Sequence, residues 1–210
     1  MSENLGRAEV DRGTVQSIKD RAKVDGPIRL DLGAGDKKQE GWTTVDIADE
    51  RKTMHTGREH YPAIAITPDV VSDLRKLPFP DDYADEARAI HVIEHFYPWE
   101  AEDLLKEWVR VLKPGAPLAI ECPCIEKVLV LATVPQCPPT MTYWALYGDP
   151  RYKDPLMTHH WCYGQQQLIK LMAQAGLVNL RSEHPQFHQP IRDMRIVGQK
   201  PIPEPLLVAA

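Results

Sequence analysis

Asp31 stands two residues ahead of the turn Gly33-Ala34-Gly35, and a second acid, Asp46, closes the next short apolar run. Glycine lets a backbone turn sharply and approach a ligand closely. In an open α/β sheet, ligands bind outside the carboxyl ends of the strands. An acid ending the strand beside such a turn is placed to accept both hydroxyls of a ribose, through charged hydrogen bonds of about 1.5–3 kcal/mol each. A dinucleotide fingerprint would need a third glycine where Lys38 stands, and an acid about 20 residues on; Asp46 comes too early for it. A P-loop would need Gly-Lys-Ser/Thr after its first glycine, and the sequence has none there.

Residues 122–163 hold a second concentration of reactive side chains, rich in proline, aromatics and histidine. Cys122-Pro123-Cys124 leaves one residue between its thiols, unlike the wider spacing of zinc sites. His159, His160 and Cys162 lie close together, but no second ligand pair has matching spacing, so the pattern predicts no metal. The four cysteines do not read as a disulfide framework in a chain of 210 residues.

These groups need a scaffold, and the patterning supplies one. Apolar runs predict strands at Ile28–Leu32, Thr43–Ile47, Asp69–Asp73, Ala84–Val92, Pro117–Glu121, Val178–Arg181 and Met194–Val197. Leu104, Leu105, Trp108, Val109 and Leu112 recur at helical spacing within Pro98–Leu112, which Lys113-Pro114-Gly115 stops; Gln165–Ala175 is a second amphipathic helix, capped by Gly176. Residues 48–67 read as a loop or broken helix. Strands alternating with helices predict an α/β fold, a Rossmann-like, mostly parallel seven-stranded sheet with helices on both faces. The expected organisation is an N-terminal helical arm over 1–25, with its helix around Ala8–Ala22, one domain over 26–200 carrying an insert at 122–163, and a tail over 201–210.

In order, Asp31-Leu32-Gly33-Ala34-Gly35, Asp46, Asp73-Leu74, Pro78-Phe79-Pro80, His91-Val92-Ile93-Glu94-His95 and Val111-Leu112-Lys113-Pro114-Gly115 resemble the successive motifs of class I S-adenosylmethionine-dependent methyltransferases. The likeness runs from about Ile28 to Glu121 and more weakly through Gly176. It implies S-adenosylmethionine as cofactor, S-adenosylhomocysteine as product, and a last strand antiparallel to the rest. By that resemblance Asp31, Leu32, Gly33, Ala34 and Gly35 line the methionine and sugar, and Asp46 holds the ribose diol with Ile47 on the adenine. Asp73 bonds the adenine amino group with Leu74 on the ring, and His91, Ile93 and Glu94 stand near the methionyl end. The pattern is broken at Lys37, which replaces its third glycine, and the short segment from Gly35 to Asp46 implies a first crossover helix reduced to a turn, with Trp42 filling space.

A sulfonium methyl is already electrophilic, so such a protein mainly aligns a nucleophile with it, which can supply roughly 7–11 kcal/mol of the barrier. The acceptor pocket is expected from Tyr143, Trp144, Tyr147, His159, His160, Trp161 and Tyr163. Histidine titrates near neutrality, making His159 or His160 the first candidates for a general base and His95 the next. A net charge of -5 argues against a protein whose affinity comes from nucleic-acid phosphates, and favours a small-molecule or sugar acceptor. The alternatives are a nucleic-acid or protein methyltransferase, which would use a basic stripe from Arg51, Lys52, Arg58, Lys127, Arg151 and Lys153, or a cofactor-binding partner without catalysis. No apolar stretch reaches the roughly 18 residues of a membrane helix and no signal-peptide run opens the chain, so a cytoplasmic monomer or homodimer is expected.

Overall fold

The apolar run before the glycine turn forms strand β1, Arg29–Leu32, in the computed structural model of the protein, with Leu30 and Leu32 fully buried. Residues 26–35, 37–47, 51–53, 64–152 and 155–203 are described. The expected N-terminal helix and most of the expected tail fall outside them.

β1 lies in the interior of the main sheet, paired in parallel on one side with β2 (Thr43–Asp46) and on the other with β6 (Glu86–Ile90). β2 continues to β5 (Val70–Val71), and β6 pairs in parallel with β7 (Pro117–Pro123). β9 (Asp193–Gln199) then runs antiparallel to both β7 and β8 (Val178–Glu183). The order β5-β2-β1-β6-β7-β9-β8 is the seven-stranded, mostly parallel sheet expected, with its last strand reversed. Leu118 and Ile120 of β7 and Ala87 and Ala89 of β6 are buried, as strands covered on both faces require.

Helix α1 (Ala101–Val111) buries Leu104, Leu105, Trp108 and Val109, and Trp108 Nε1 donates to the Leu74 carbonyl at 3.1 Å. The other α-helices among the described residues are α2 (Ile125–Ala132), α3 (Tyr143–Tyr147) and α4 (Gln165–Gln174). Leu168 and Met172 of α4 join the same core, where α4 packs on α1 and on β8 and β9. The first crossover has no helix over 37–42. Its backbone turns through Lys37 N–H to Ala34 O and Trp42 N–H to Gln39 O, both 3.2 Å.

Three expectations need correcting. Residues 48–67 contain an antiparallel pair, β3 (Arg51–Thr53) and β4 (Ile64–Ile66), rather than a loop or broken helix. The strand expected at Asp69–Asp73 is confined to Val70–Val71, because Asp73 begins a turn closed by Lys76 N–H on its carbonyl at 3.0 Å. The insert 122–163 is more regular than its prolines suggest. Ile125–Ala132 is proline-free and buries Val128, and short 3-10 turns follow at Pro139–Met141, Pro150–Tyr152 and Pro155–Met157.

Candidate active site

Strand order reverses direction at β1, the point where an open parallel sheet leaves a crevice at its carboxyl edge. A cleft of about 300 Å³ opens there, within the size range of small-molecule sites. Its floor is made at the carboxyl ends of four neighbouring strands: Gly33, Ala34 and Gly35 after β1, Asp46 at the end of β2 with Ile47 after it, Asp73 and Leu74 after β5, and His91 and Val92 after β6. His95, Phe96, Tyr152, Leu156, Met157 and His188 complete its walls.

Local geometry explains the glycines. Gly33 has φ +71°, its N–H donates to Val45 O at 2.7 Å, and a Cβ there would stand 2.6 Å from a Val92 methyl. Gly35 has φ +58°, and the place of its missing Cβ is open space. Asp46 is half-buried, with one carboxylate oxygen accepting Gly35 N–H at 3.1 Å and the other accepting Ile47 N–H at 2.7 Å. A carboxylate has about four acceptor positions, so both oxygens keep capacity toward the cleft. A turn with two glycines and only the Ala34 methyl, beside a pre-oriented carboxylate, leaves room for a nucleoside with a vicinal diol. Asp73 accepts Arg75 N–H at 2.9 Å and pairs with its guanidinium at 3.4 Å.

Four expected cofactor residues lie elsewhere. Asp31 turns away from the main cleft and pairs with Arg88 at 2.5 Å, both side chains about 95% buried. It borders a smaller recess of about 70 Å³ with Phe187 and His188. Leu32 and Ile93 are core residues with no exposed surface, so neither lines the cleft. Glu94 is buried behind the wall rather than in it.

The residues around His91 carry the strongest electrostatics. His91 has φ +55° and lies 3.1 Å from Asp193 on one ring nitrogen and 3.1 Å from Glu94 on the other. Burial opposes its charge, but the two carboxylates outweigh that and raise its pKa to about 9. Burial likewise opposes ionisation of Glu94 and Asp193, yet His91, joined at Asp193 by Arg192, holds both below the usual carboxylate range. His95 and His188 move the opposite way, to about 4, chiefly because burial disfavours their charged forms. A histidine raised in the folded state stabilises fully below its ordinary value of 6.5 and loses that contribution as pH rises through about 9. Thermal melting is therefore expected to weaken on the alkaline side, and His91→Gln to flatten that limb; an unchanged alkaline limb in the variant would contradict the assignment.

Sequence reasoning missed three supports. Glu121 is fully buried in β7 and accepts the N–H groups of Gln186, Phe187 and His188 at 2.8, 3.0 and 3.2 Å, fixing the segment that brings His188 to the cleft. An acid inside the apolar run Pro117–Pro123 was the available signal. Arg88, also inside a buried strand, is sandwiched by Trp42 and Phe187 at 3.9 and 4.7 Å. Asp193, the first residue of β9, holds His91.

The candidate acceptor residues divide. Tyr143, Trp144 and Tyr147 line a separate recess of about 590 Å³, which shares Met157 with the main cleft. Tyr163 is a core residue, 1% exposed, and is corrected accordingly. His160 stacks on Tyr97 at 4.1 Å, and Trp161 Nε1 donates to Gln167 at 3.3 Å. His95 enters the cleft wall, and His159 packs edge-on against it at 4.7 Å. Of the proposed basic stripe, Lys127 turns inward to the carbonyls of Pro190 and Asp193, and Arg151 pairs with Asp149. Arg58 and Lys153 lie outside the described residues.

Residues 30–120 match the family described as a methyltransferase domain. No curated protein matches the sequence. Among solved structures, an S-adenosylmethionine-dependent methyltransferase from Methanosarcina mazei superposes with a TM-score of 0.55 at 20% identity, covering 84% of this chain and 93% of that one. Another from Archaeoglobus fulgidus gives 0.53 at 19%, covering 90% and 95%. Human N-acetylserotonin methyltransferase, solved with S-adenosylmethionine, gives 0.53 at 16%, covering 90% of this chain and 53% of that one. Likeness at these identities speaks for the shared fold.

Proposed function

We propose that the chain is a class I S-adenosylmethionine-dependent methyltransferase, a reading supported by the methyltransferase-domain match over residues 30–120, and that it moves the methyl group to a small-molecule or sugar acceptor that enters from the side of residues 139–160. The observation that carries the reading is the pairing of an open glycine turn with Asp46 at the carboxyl edge of two adjacent central strands. When bound, the cofactor supplies a methyl carbon already activated by its sulfonium. The chain's own residues bind, orient and exclude water. Asp46 takes the ribose hydroxyls, Asp73 the adenine amino group, and Ile47 and Leu74 the faces of the base. Phe96, Leu156 and Met157 give the cleft its apolar walls. His95, kept neutral by burial, presents an imidazole lone pair at the cleft wall.

The acidic net charge and the inward engagement of Lys127 and Arg151 support a small acceptor over nucleic acid. Among the described residues, no helix is long and apolar enough to cross a membrane. Isothermal titration with S-adenosylhomocysteine and S-adenosylmethionine tests the reading. Saturable binding of one ligand per chain is expected, and no binding of either at millimolar concentration would end it.

A further inference from the structure

Glu94, His95 and His159 bring one carboxylate and two imidazoles together, with one ligand atom from each lying within 4.8 Å of the other two. Glu94 and His95 come from the 3-10 turn after β6, Ile93–His95, and His159 from the insert, 64 residues further on. Two further observations make this more than a cluster. First, Glu94 is 1% exposed, and the neighbour paired with its carboxylate is His91, whose Nδ1 lies 3.1 Å from one oxygen, while the other oxygen has no hydrogen-bond partner. A carboxylate has about four acceptor positions, and with His91 at only one oxygen the buried Glu94 keeps positions that a cation would fill. Second, each histidine has its Nδ1 on a backbone carbonyl, His95 on Thr158 at 3.1 Å and His159 on Ala145 at 2.9 Å. That bond fixes the tautomer in which Nε2 keeps its lone pair, the outer-shell arrangement typical of a metal-ligating histidine.

We propose that Glu94, His95 and His159 form a divalent-cation site just behind the cleft wall, reached from the cleft at His95, which holds an acceptor hydroxyl in an open coordination position. The use of the site rests on the proposed methyl transfer; the cation binding does not. Two imidazoles and one carboxylate suit a first-row ion such as Zn²⁺, Co²⁺ or Mn²⁺ better than Mg²⁺ or Ca²⁺, which prefer oxygen shells. Bonds of about 2.1 Å in tetrahedral geometry place ligand atoms about 3.4 Å apart. The side chains therefore draw inward by about 1 Å on binding. Three protein ligands leave at least one position for an exogenous oxygen, as in catalytic rather than structural sites.

Such an ion answers a need of the chemistry, because a neutral hydroxyl is a poor nucleophile and a bound cation lowers its pKa. The hydroxyl proton passes to water. An oxygen electron pair then forms the bond to the methyl carbon, and the carbon–sulfur bond breaks with its pair left on sulfur. The products are a methyl ether and S-adenosylhomocysteine. The acceptor class is therefore an alcohol or phenol rather than an amine.

The test uses the full chain, dialysed against EDTA and titrated with Co²⁺ alone while visible absorption is followed. One Co²⁺ per chain with d–d bands of low symmetry is expected, displaced by Zn²⁺. His159→Ala and Glu94→Gln are each expected to weaken Co²⁺ binding by more than the roughly 10–100-fold that loss of an outer-shell partner costs. His184→Ala, at an exposed histidine outside the cluster, is expected to leave it unchanged. His159 is half-buried in the insert, so its variant stays informative even if Glu94→Gln fails to fold. Absence of stoichiometric Co²⁺ binding, or equal affinity in His159→Ala, would overturn the site. S-adenosylhomocysteine titration of the same samples keeps this outcome separate from failure of the cofactor reading.

Discussion

Asp46→Ala is expected to weaken S-adenosylhomocysteine binding by about 3 kcal/mol, roughly 150-fold in Kd, with the fold retained. The estimate corresponds to two charged hydrogen bonds to a ribose diol, lessened because the half-buried carboxylate is partly hydrated in the free protein. The substitution also strips the Gly35 and Ile47 N–H groups of their acceptor, which loosens the turn that forms the cleft floor. Asp46→Asn separates the two effects. Its amide keeps one acceptor oxygen for the turn but loses the charge, so its loss of affinity is expected to be intermediate. Titration calorimetry with circular dichroism as the folding control measures both, and wild-type affinity in Asp46→Ala would remove the ribose assignment.

The second large effect is on stability. Arg88→Met is expected to lower the unfolding free energy by about 3–5 kcal/mol, because it leaves a buried carboxylate without its counter-charge. Asp31 and Arg88 have side-chain exposures of 5% and 6%, so solvent does little to screen the loss. Burial already raises the Asp31 pKa against the pull of Arg88, and without the guanidinium the acid must protonate to remain inside. Arg88 also donates to Gln39 at 2.8 Å and lies between the rings of Trp42 and Phe187. Its loss therefore loosens the segment that brings His188 to the cleft. Adding Asp31→Asn to Arg88→Met is expected to recover part of the loss, since the uncompensated charge goes with it. Urea denaturation measures all three variants, and a change below about 0.5 kcal/mol in Arg88→Met would place the pair among ordinary surface contacts.

These two residues also show how far the sequence could be read. The place of Asp46 beside the glycine turn was legible because the contact is local: Asp46 and Gly35 lie 11 residues apart. Periodicity likewise located α1 and α4 and all seven strands of the main sheet, with ends displaced by a few residues where turns or strand pairing decided the boundary. Asp31 was misplaced because its partner is 57 residues away, and nothing in Asp-x-Gly-x-Gly tells whether the acid faces a ligand or a neighbouring strand. Glu94 and His159 meet across a comparable separation, so the histidines were recognisable as reactive groups but not as companions of a carboxylate. The helix over Ile125–Ala132 was obscured by the prolines around it. The pair β3 and β4 was obscured by charged residues that resemble a loop.

A crystal structure of the protein with S-adenosylhomocysteine tests the central claim most directly. The nucleoside is expected across the carboxyl ends of β1 and β2, with both ribose hydroxyls within hydrogen-bonding distance of the Asp46 carboxylate and the backbone of Gly33–Gly35 against the ligand. Density for the nucleoside outside that crevice, or an Asp46 carboxylate with no contact to the sugar, would contradict the account.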